Sequence, residues 1–165
     1  MFQPESVAGV VFSPDRKSVL LIQRRDVPIW VLPGGGIEKG ESAEQAIERE
    51  ILEETGYEVR AVRWVGRYHP INRLAKKTAL IECEVVGGAS RLSSETRGVR
   101  FAALDALPPF PPPYQEWIEE GFSNLPTIER SLNSVNYVTL FQYAMTHPVF
   151  VLRFLLARLG LPWNN

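Results

Sequence analysis

The chain has 165 residues and a single cysteine, so it is long enough to bury a hydrophobic core without disulfides or structural zinc. Its formal net charge of -1 excludes a whole-protein attraction to polyanions, and we expect no binding to duplex nucleic acid. The N-terminus lacks a charged segment followed by an apolar run, which predicts a cytoplasmic protein without a secretory signal.

The first part of the chain has the pattern of β-strands. Residues 7–12 and 19–23 are apolar, β-branched runs, and Pro14 and Asp15 between them favour a turn. Residues 27–32 form a third, shorter apolar run that contains a proline. Because proline cannot donate to a sheet ladder, this run predicts an edge strand or an irregular one.

A glycine-rich segment follows. Residues 33–40 contain Gly34, Gly35, Gly36 and Gly40, a density that predicts an irregular loop rather than regular structure. Glycine permits positive φ and close approach of the backbone. Amides or carbonyls of this segment are therefore expected to reach a metal ion or a phosphate.

The next segment is predicted to be a helix with defined ends. Ser42 and Gln45 have the spacing of a capping box, and Gly56 is a favourable residue just beyond a C-terminus. These signals predict a helix over Ala43–Thr55.

Three glutamates on this helix are its most informative feature. Glu50, Glu53 and Glu54 are spaced i, i+3 and i+4, which places their carboxylates on one side of the helix. Like charges so placed repel unless a cation compensates them. Carboxylates without nearby cysteine or histidine favour Mg²⁺ or Mn²⁺. Ile47 and Ile51 form an apolar pair that would dock the helix on a sheet.

The second half of the chain contains further strands. Residues 59–68, 78–86 and 99–103 alternate and predict three strands, with a turn at residues 87–88. Cys83 lies in one of these runs and is expected to be a buried thiol rather than a nucleophile.

The composition changes after the last of these strands. Residues 108–113 are almost all proline and predict a stiff connector. We expect a first domain over residues 1–122 and a helical extension over residues 123–165. Helices are predicted at residues 114–122, 134–145 and 148–159. The last is too short and too charged to span a bilayer, so the extension would pack on the domain or on a second subunit of a homodimer, or lie at a membrane interface.

The central segment resembles the box of the Nudix hydrolases, G-x5-E-x7-R-E-U-x-E-E-x-G-U, where U is apolar. Every fixed position is filled, and Tyr57 is the one soft departure, because the family usually has an aliphatic residue there. The residues that match run from Gly35 through Glu41 to Arg49, Glu50, Ile51, Leu52, Glu53, Glu54, Thr55, Gly56 and Tyr57. The resemblance covers about residues 5–120.

The resemblance implies an α/β fold, an α/β/α sandwich around a mixed sheet. It also implies hydrolysis of a nucleoside diphosphate linked to another moiety, with Mg²⁺ or Mn²⁺ as cofactor. On this carry-over Glu50 and Glu54 ligate the metal, and Glu53 ligates it or positions water. A carbonyl of Gly35 or Gly36 completes the shell. Arg49 and Glu41 would hold the ligands in orientation.

The general base and the substrate are less constrained. Glu53 and Glu95 are the candidates for the base, with a solvated loop glutamate as the alternative for Glu95. The subclass markers for ADP-ribose and dinucleoside polyphosphates are not met. A non-catalytic nucleotide sensor is the rival function, although such domains typically lose box carboxylates and this chain retains them.

Four residues are candidate substrate contacts. Arg24 and Arg25 end a predicted strand, and Arg73 lies in a basic loop, so each is placed where it would bind phosphates. Tyr68 would stack on a base. Solvated cations and a core aromatic are the alternatives for these four residues.

Overall fold

The computed structural model describes residues 2–27, 29–149, 152 and 156. It contains eight strands and three helices within these residues. The strands are β1 (Ser6–Val11), β2 (Ser18–Arg24), β3 (Trp30–Val31), β4 (Gly34–Gly36), β5 (Tyr57–His69), β6 (Thr78–Gly88), β7 (Thr96–Ala103) and β8 (Ile128–Ser131). The helices are α1 (Ala43–Thr55), α2 (Tyr114–Phe122) and α3 (Tyr137–Thr146).

The strands form two sheets. A mixed five-stranded sheet has the order β4-β1-β6-β5-β8, in which β1 pairs parallel with β6 and β5 pairs parallel with β8. A second, antiparallel sheet has the order β3-β2-β7. The predicted α/β class with a mixed sheet is confirmed.

Helices cover both faces of the mixed sheet. On β1, Val7 and Val11 belong to the apolar cluster that contains Ile47 and Ile51 of α1. The alternate residue Val10 belongs to the other cluster, together with residues of α2. Successive side chains of a strand point to opposite faces, so both faces of β1 are buried and the strand is apolar throughout. The buried strands hold α1 and α2 on opposite sides of the sheet.

The ends of α1 and α2 agree with the predictions. Ser42 and Gln45 form the predicted capping box at the start of α1, and Gly56 adopts a left-handed conformation with φ 78° at its end. A side chain at Gly56 would collide with the backbone of Ala89, so only glycine fits there.

Cys83 is buried, and burial raises the pKa of its thiol to about 12, which confirms the predicted inert thiol.

Two strands differ from the predictions. Residues Gly34–Gly36 form β4 rather than an irregular loop, because pairing with β1 uses only the backbone. Ile128–Ser131 form β8, which the sequence analysis missed. In β8, half-buried and exposed positions alternate over only four residues, too few for a periodic signal. The turn predicted at residues 87–88 is the end of β6.

The extension begins as part of the sheet. β8 pairs with Gly66–His69 of β5, and the following Leu132 is buried in the core. α3 then begins three residues later than predicted and has no buried residue. The helix predicted at residues 148–159 lies largely outside the described residues. No helix in the described part of the chain is long and apolar enough to cross a membrane.

Candidate active site

Strand β4 and helix α1 hold the carboxylates of the site. The Gly34 amide donates a hydrogen bond of 2.9 Å to Oε2 of Glu54, whose side chain is largely buried. At the next position, a Cβ at Gly35 would overlap the carboxylate of Glu50. The missing side chain therefore lets Glu50 lie directly against the strand. The glycines predicted to permit close backbone approach serve the carboxylates of the same chain.

Arg49 ties the acidic residues together. Its guanidinium donates to Glu41 at 2.9 and 3.0 Å, to Glu50 at 3.0 Å and to Glu53 at 3.4 Å. It also donates to the carbonyl of Gly36 at 3.0 Å, so it links the helix to β4. These bonds raise the pKa of Arg49 and keep it charged. The predicted orienting role of Arg49 and Glu41 is consistent with these contacts.

The electrostatics of the site favour a cation. Burial, together with the charges of Glu50 and Glu95, raises the pKa of Glu54 to about 8, although the Gly34 amide and Arg24 act to lower it. Burial also raises the pKa of Glu50, with contributions from Glu53 and Glu95. The fold therefore holds Glu50 and Glu54 where burial, and to a lesser extent neighbouring negative charge, disfavours their charged forms, which a bound cation would stabilise.

Glu95 lies near this cluster, as its effect on both pKa values indicates. The loop before β7 positions it: the Arg25 amide donates to the carbonyl of Glu95 at 2.8 Å. The Arg25 guanidinium donates to the carbonyls of Ser93 and Thr96 at 3.3 and 3.1 Å. Thr96 in turn donates from its hydroxyl to the carbonyl of Glu54 at 2.9 Å. Arg25 therefore fixes the loop that carries Glu95 instead of facing a ligand as predicted.

The other candidate substrate contacts occupy different environments. Arg24 forms a two-bond ion pair with Asp26 at 2.9 and 2.5 Å, and its charge lowers the pKa of Glu54, so it lies beside the cluster. Arg73 is exposed on the loop between β5 and β6. Tyr68 is fully buried and donates its hydroxyl proton to Glu120. The prediction that Tyr68 stacks on a base is wrong in this structure, because β5 turns its side chain into the core.

The residues of the cluster fit a divalent metal ion. All side-chain donors are carboxylate oxygens, which are hard ligands. Within the described residues, no three acidic, histidine or cysteine side chains already converge on one point. Glu50 and Glu53 accept hydrogen bonds from Arg49 in this structure. Binding of a shared metal ion would therefore require these two side chains to rotate. The raised pKa values of Glu50 and Glu54 are the observation that favours such an ion.

Sequence reasoning missed one residue near the cluster. Tyr114 begins α2, and burial raises the pKa of its hydroxyl, with Arg24 lowering it and Glu54 raising it. The hydroxyl of Tyr114 therefore lies close enough to Arg24 and Glu54 to interact electrostatically with both. No local signal marks this position, since the proximity arises only when α2 packs across the sheet from a distant part of the chain.

Comparisons with known proteins agree with this geometry. The family model of the NUDIX domain matches residues 3–122. The chain is 36% identical over 118 residues to a putative 8-oxo-dGTP diphosphatase of Bacillus subtilis, which covers 71% of this chain and 78% of that protein. It is 32% identical over 109 residues to an ADP-ribose pyrophosphatase of Methanocaldococcus jannaschii, and the match covers 62% of this chain and 63% of that protein.

A solved structure is also similar. The ADP-ribose pyrophosphatase of Streptococcus suis superposes with a TM-score of 0.66 at 27% identity, covering 76% of this chain and 98% of that one. Nudix hydrolases generally use divalent metal ions, in line with the all-carboxylate cluster on α1. Since the family model matches residues 3–122, which is most of the chain, the chain belongs to the Nudix hydrolase family.

Proposed function

We propose that this chain is a divalent-metal-dependent pyrophosphohydrolase that cleaves a nucleoside diphosphate linked to another moiety. The observation that carries the proposal is the carboxylate pair of Glu50 and Glu54 held against the glycine strand β4. The relatives support the substrate class, because 8-oxo-dGTP and ADP-ribose both contain a nucleoside diphosphate. Mg²⁺ or Mn²⁺ is the proposed ion.

The box residues have separate roles in this proposal. Glu50 and Glu54 ligate the metal, the carbonyl of Gly35 completes the shell, and Glu53 ligates the ion or positions water. When bound, the metal neutralises phosphate charge and lowers the pKa of the attacking water. Arg49 keeps the carboxylates oriented through its bonds to Glu41 and Glu50.

Two groups outside the metal shell are proposed to act on the substrate. Glu95 or Glu53 accepts the proton of the attacking water, and the anchored loop keeps Glu95 near the other carboxylates. Arg24 binds the phosphates, because it lies beside Glu54 and is half exposed. Arg73 is a second, more distant phosphate contact from its exposed loop.

A panel assay tests the function directly. Phosphate release is measured with Mg²⁺ or Mn²⁺ on nucleoside triphosphates, ADP-ribose, dinucleoside polyphosphates, NADH and capped RNA. We expect metal-dependent turnover of at least one of these compounds. The alternative, a catalytically silent nucleotide sensor, predicts tight binding without turnover for every ligand.

The assembly is a separate part of the proposal. α3 exposes apolar side chains, including Phe141 and Met145, each about two thirds exposed. We propose a homodimer that buries this helix, and a cytoplasmic location. Light scattering coupled to gel filtration tests the first, with a monomer at all concentrations as the contrary result.

A further inference from the structure

The segment that precedes and begins β7 is fastened to the end of α1. Arg91 donates its amide to the carbonyl of Thr55 at 2.7 Å, and Thr96 donates its hydroxyl to the carbonyl of Glu54 at 2.9 Å. The last four carbonyls of a helix have no partner within the helix, so these two bonds satisfy acceptors that α1 leaves open. Residues 91–96 therefore cap the helix beside a proposed metal ligand.

A hydrogen-bonded turn holds the middle of this segment. The hydroxyl of Ser93 accepts hydrogen bonds from the amides of Glu95 and Thr96, each at 3.1 Å. The hydroxyl of Thr96 accepts a hydrogen bond from the Ser93 amide at 3.0 Å while it donates to Glu54. Because a hydroxyl is one donor and also an acceptor, the Thr96 side chain uses its proton for the helix and a lone pair for the turn. One hydroxyl thus joins the turn to α1.

The position of Glu95 depends on this buried neighbour. Glu95 is exposed, so packing of its own side chain does not hold it in place, whereas Thr96 is fully buried. The charge of Glu95 nevertheless acts on both Glu50 and Glu54. The anchored backbone is therefore what keeps this carboxylate near the cluster.

We propose that Thr96 is a positioning residue of the reaction: its hydroxyl fixes the spacing between Glu54 and the turn that carries Glu95. The carboxylate of Glu54 is held by the Gly34 amide at 2.9 Å, so β4 fixes one end of this residue and Thr96 fixes the other. This inference rests on the proposed function, in which Glu95 acts beside the metal ligands. It adds the residue that keeps the Glu95 and Glu54 carboxylates together.

Mn²⁺ affinity tests the coupling without any substrate. Glu95→Gln removes a negative charge beside the cluster, so we expect Mn²⁺ to bind about threefold more weakly in calorimetric titrations. Thr96→Val keeps the shape of the side chain but deletes the hydroxyl, so the turn is released and Mn²⁺ binding should weaken to a similar extent. Because both changes act through Glu95, the double variant should bind Mn²⁺ no more weakly than Glu95→Gln alone.

Two further variants separate positioning from general stability. Thr96→Ser keeps the hydroxyl and should restore the wild-type Mn²⁺ affinity. Thr78→Val is the matched control, because Thr78 is also a buried threonine that begins a strand. The Thr78 hydroxyl bonds to Ser6 and to the carbonyl of Lys76 rather than to residues 91–96, so this variant should leave the affinity unchanged.

Two other readouts report the same coupling. In the metal-free protein, hydrogen exchange of the Ser93 amide should become about tenfold faster in Thr96→Val, because that amide loses its acceptor. In kinetics at saturating Mg²⁺, Thr96→Val should lower kcat about tenfold and leave KM unchanged, since the substrate contacts remain intact.

A second variant of the turn covers the case in which Thr96→Val does not fold. Ser93→Ala removes the acceptor of the Glu95 and Thr96 amides at a half-buried position, so it opens the same turn from its other side. In combination with Glu95→Gln, it should again weaken Mn²⁺ binding no further than Glu95→Gln alone. Losses that add in this combination overturn the proposal.

The outcomes separate this inference from the proposed function. Wild-type Mn²⁺ affinity in Thr96→Val, or losses that add in the double variant with Glu95→Gln, overturns the positioning role even if the enzyme hydrolyses nucleotides. A loss that Thr96→Ser avoids and that Glu95→Gln already contains supports the role even if no compound of the activity panel is turned over. That last result would count against the proposed function alone.

Discussion

Helices α1 and α3 begin in the same way and end in different surroundings. Each starts with a capping box, from Ser42 in α1 and from Asn136 in α3. α1 buries a stripe that includes Ile47 and Ile51 and leaves its glutamates at one side of that stripe. α3 has no charged residue and no buried one. Capping thus locates the start of a helix, but the spacing of apolar residues decides whether the helix packs and where its polar groups point.

The largest effect is expected from the acidic side of α1. Glu54→Gln removes one proposed metal ligand while keeping the size of the side chain. We expect metal-dependent phosphate release to fall about a thousandfold, with the circular dichroism spectrum unchanged. Glu58→Gln, an exposed glutamate just after the helix, is the matched control and should keep full activity. Substantial activity in a folded Glu54→Gln variant would remove the ligand assignment.

The next effect concerns the strand beside α1. Gly35→Ala places a methyl group where the Glu50 carboxylate lies, so we expect kcat to fall about a hundredfold through displacement of that carboxylate. Gly87→Ala is the matched control, because its methyl group meets the exposed carboxylate of Glu58, which has room to move, with its Oε2 at 2.8 Å. Equal kinetics for the two variants would show that Glu50 need not lie against β4.

The pH dependence of metal binding is expected to be moderate in size. Because the pKa of Glu54 is raised to about 8, a proton competes with the metal below that pH. Metal affinity should therefore rise with pH, by up to about tenfold per unit, and level off above pH 8. Calorimetric titration of Mn²⁺ at several pH values measures this rise. An affinity that is flat between pH 6 and 8 would contradict the raised pKa.

The same shift predicts the opposite trend in the metal-free protein. The pKa of Glu54 is higher in the folded state than its ordinary value of 4.5, so the folded state retains the proton over this range. Its contribution to stability is present below pH 4.5 and is lost as the pH rises to about 8. Melting temperatures in EDTA measure this contribution, and Glu54→Gln should flatten the decline.

The smallest effect is expected on α3. Phe141→Ala should change the stability of the monomer by no more than about 0.5 kcal/mol, because the side chain is 65% exposed. Ile47→Ala, at the fully buried face of α1, should cost about 2–5 kcal/mol. Denaturant titrations at low protein concentration compare the two. A large loss in Phe141→Ala that grows with protein concentration would instead indicate that a second subunit covers α3.

The parts of the fold that depend on local sequence were predictable. Ser42 and Gln45 defined the start of α1, and the apolar pair on its buried face defined its docking. β4 was predicted wrongly because glycines give no periodic signal, and an edge strand needs only backbone pairing with β1. β8 was missed because half-buried and exposed positions alternate over only four residues, too few for a periodic signal.

The site shows the same division. The arrangement of Glu50, Glu54 and Arg49 was expected from one continuous segment, and the structure places them together. Contacts from elsewhere in the chain were not predictable in the same way. Arg25 and Arg24 are adjacent in sequence, yet one anchors the Glu95 loop and the other lies beside Glu54. Their roles depend on where each side chain points at the end of β2, whose last residue is Arg24.

The carboxylates on α1 are proposed to form a metal site, and a measurement of Mn²⁺ binding tests that assignment without any substrate. Electron paramagnetic resonance counts bound Mn²⁺ in the wild type and in a Glu50→Gln, Glu54→Gln double variant. We expect the wild type to bind Mn²⁺ and the double variant to lose that binding while remaining folded. Equal Mn²⁺ binding by both proteins would contradict the metal site on α1.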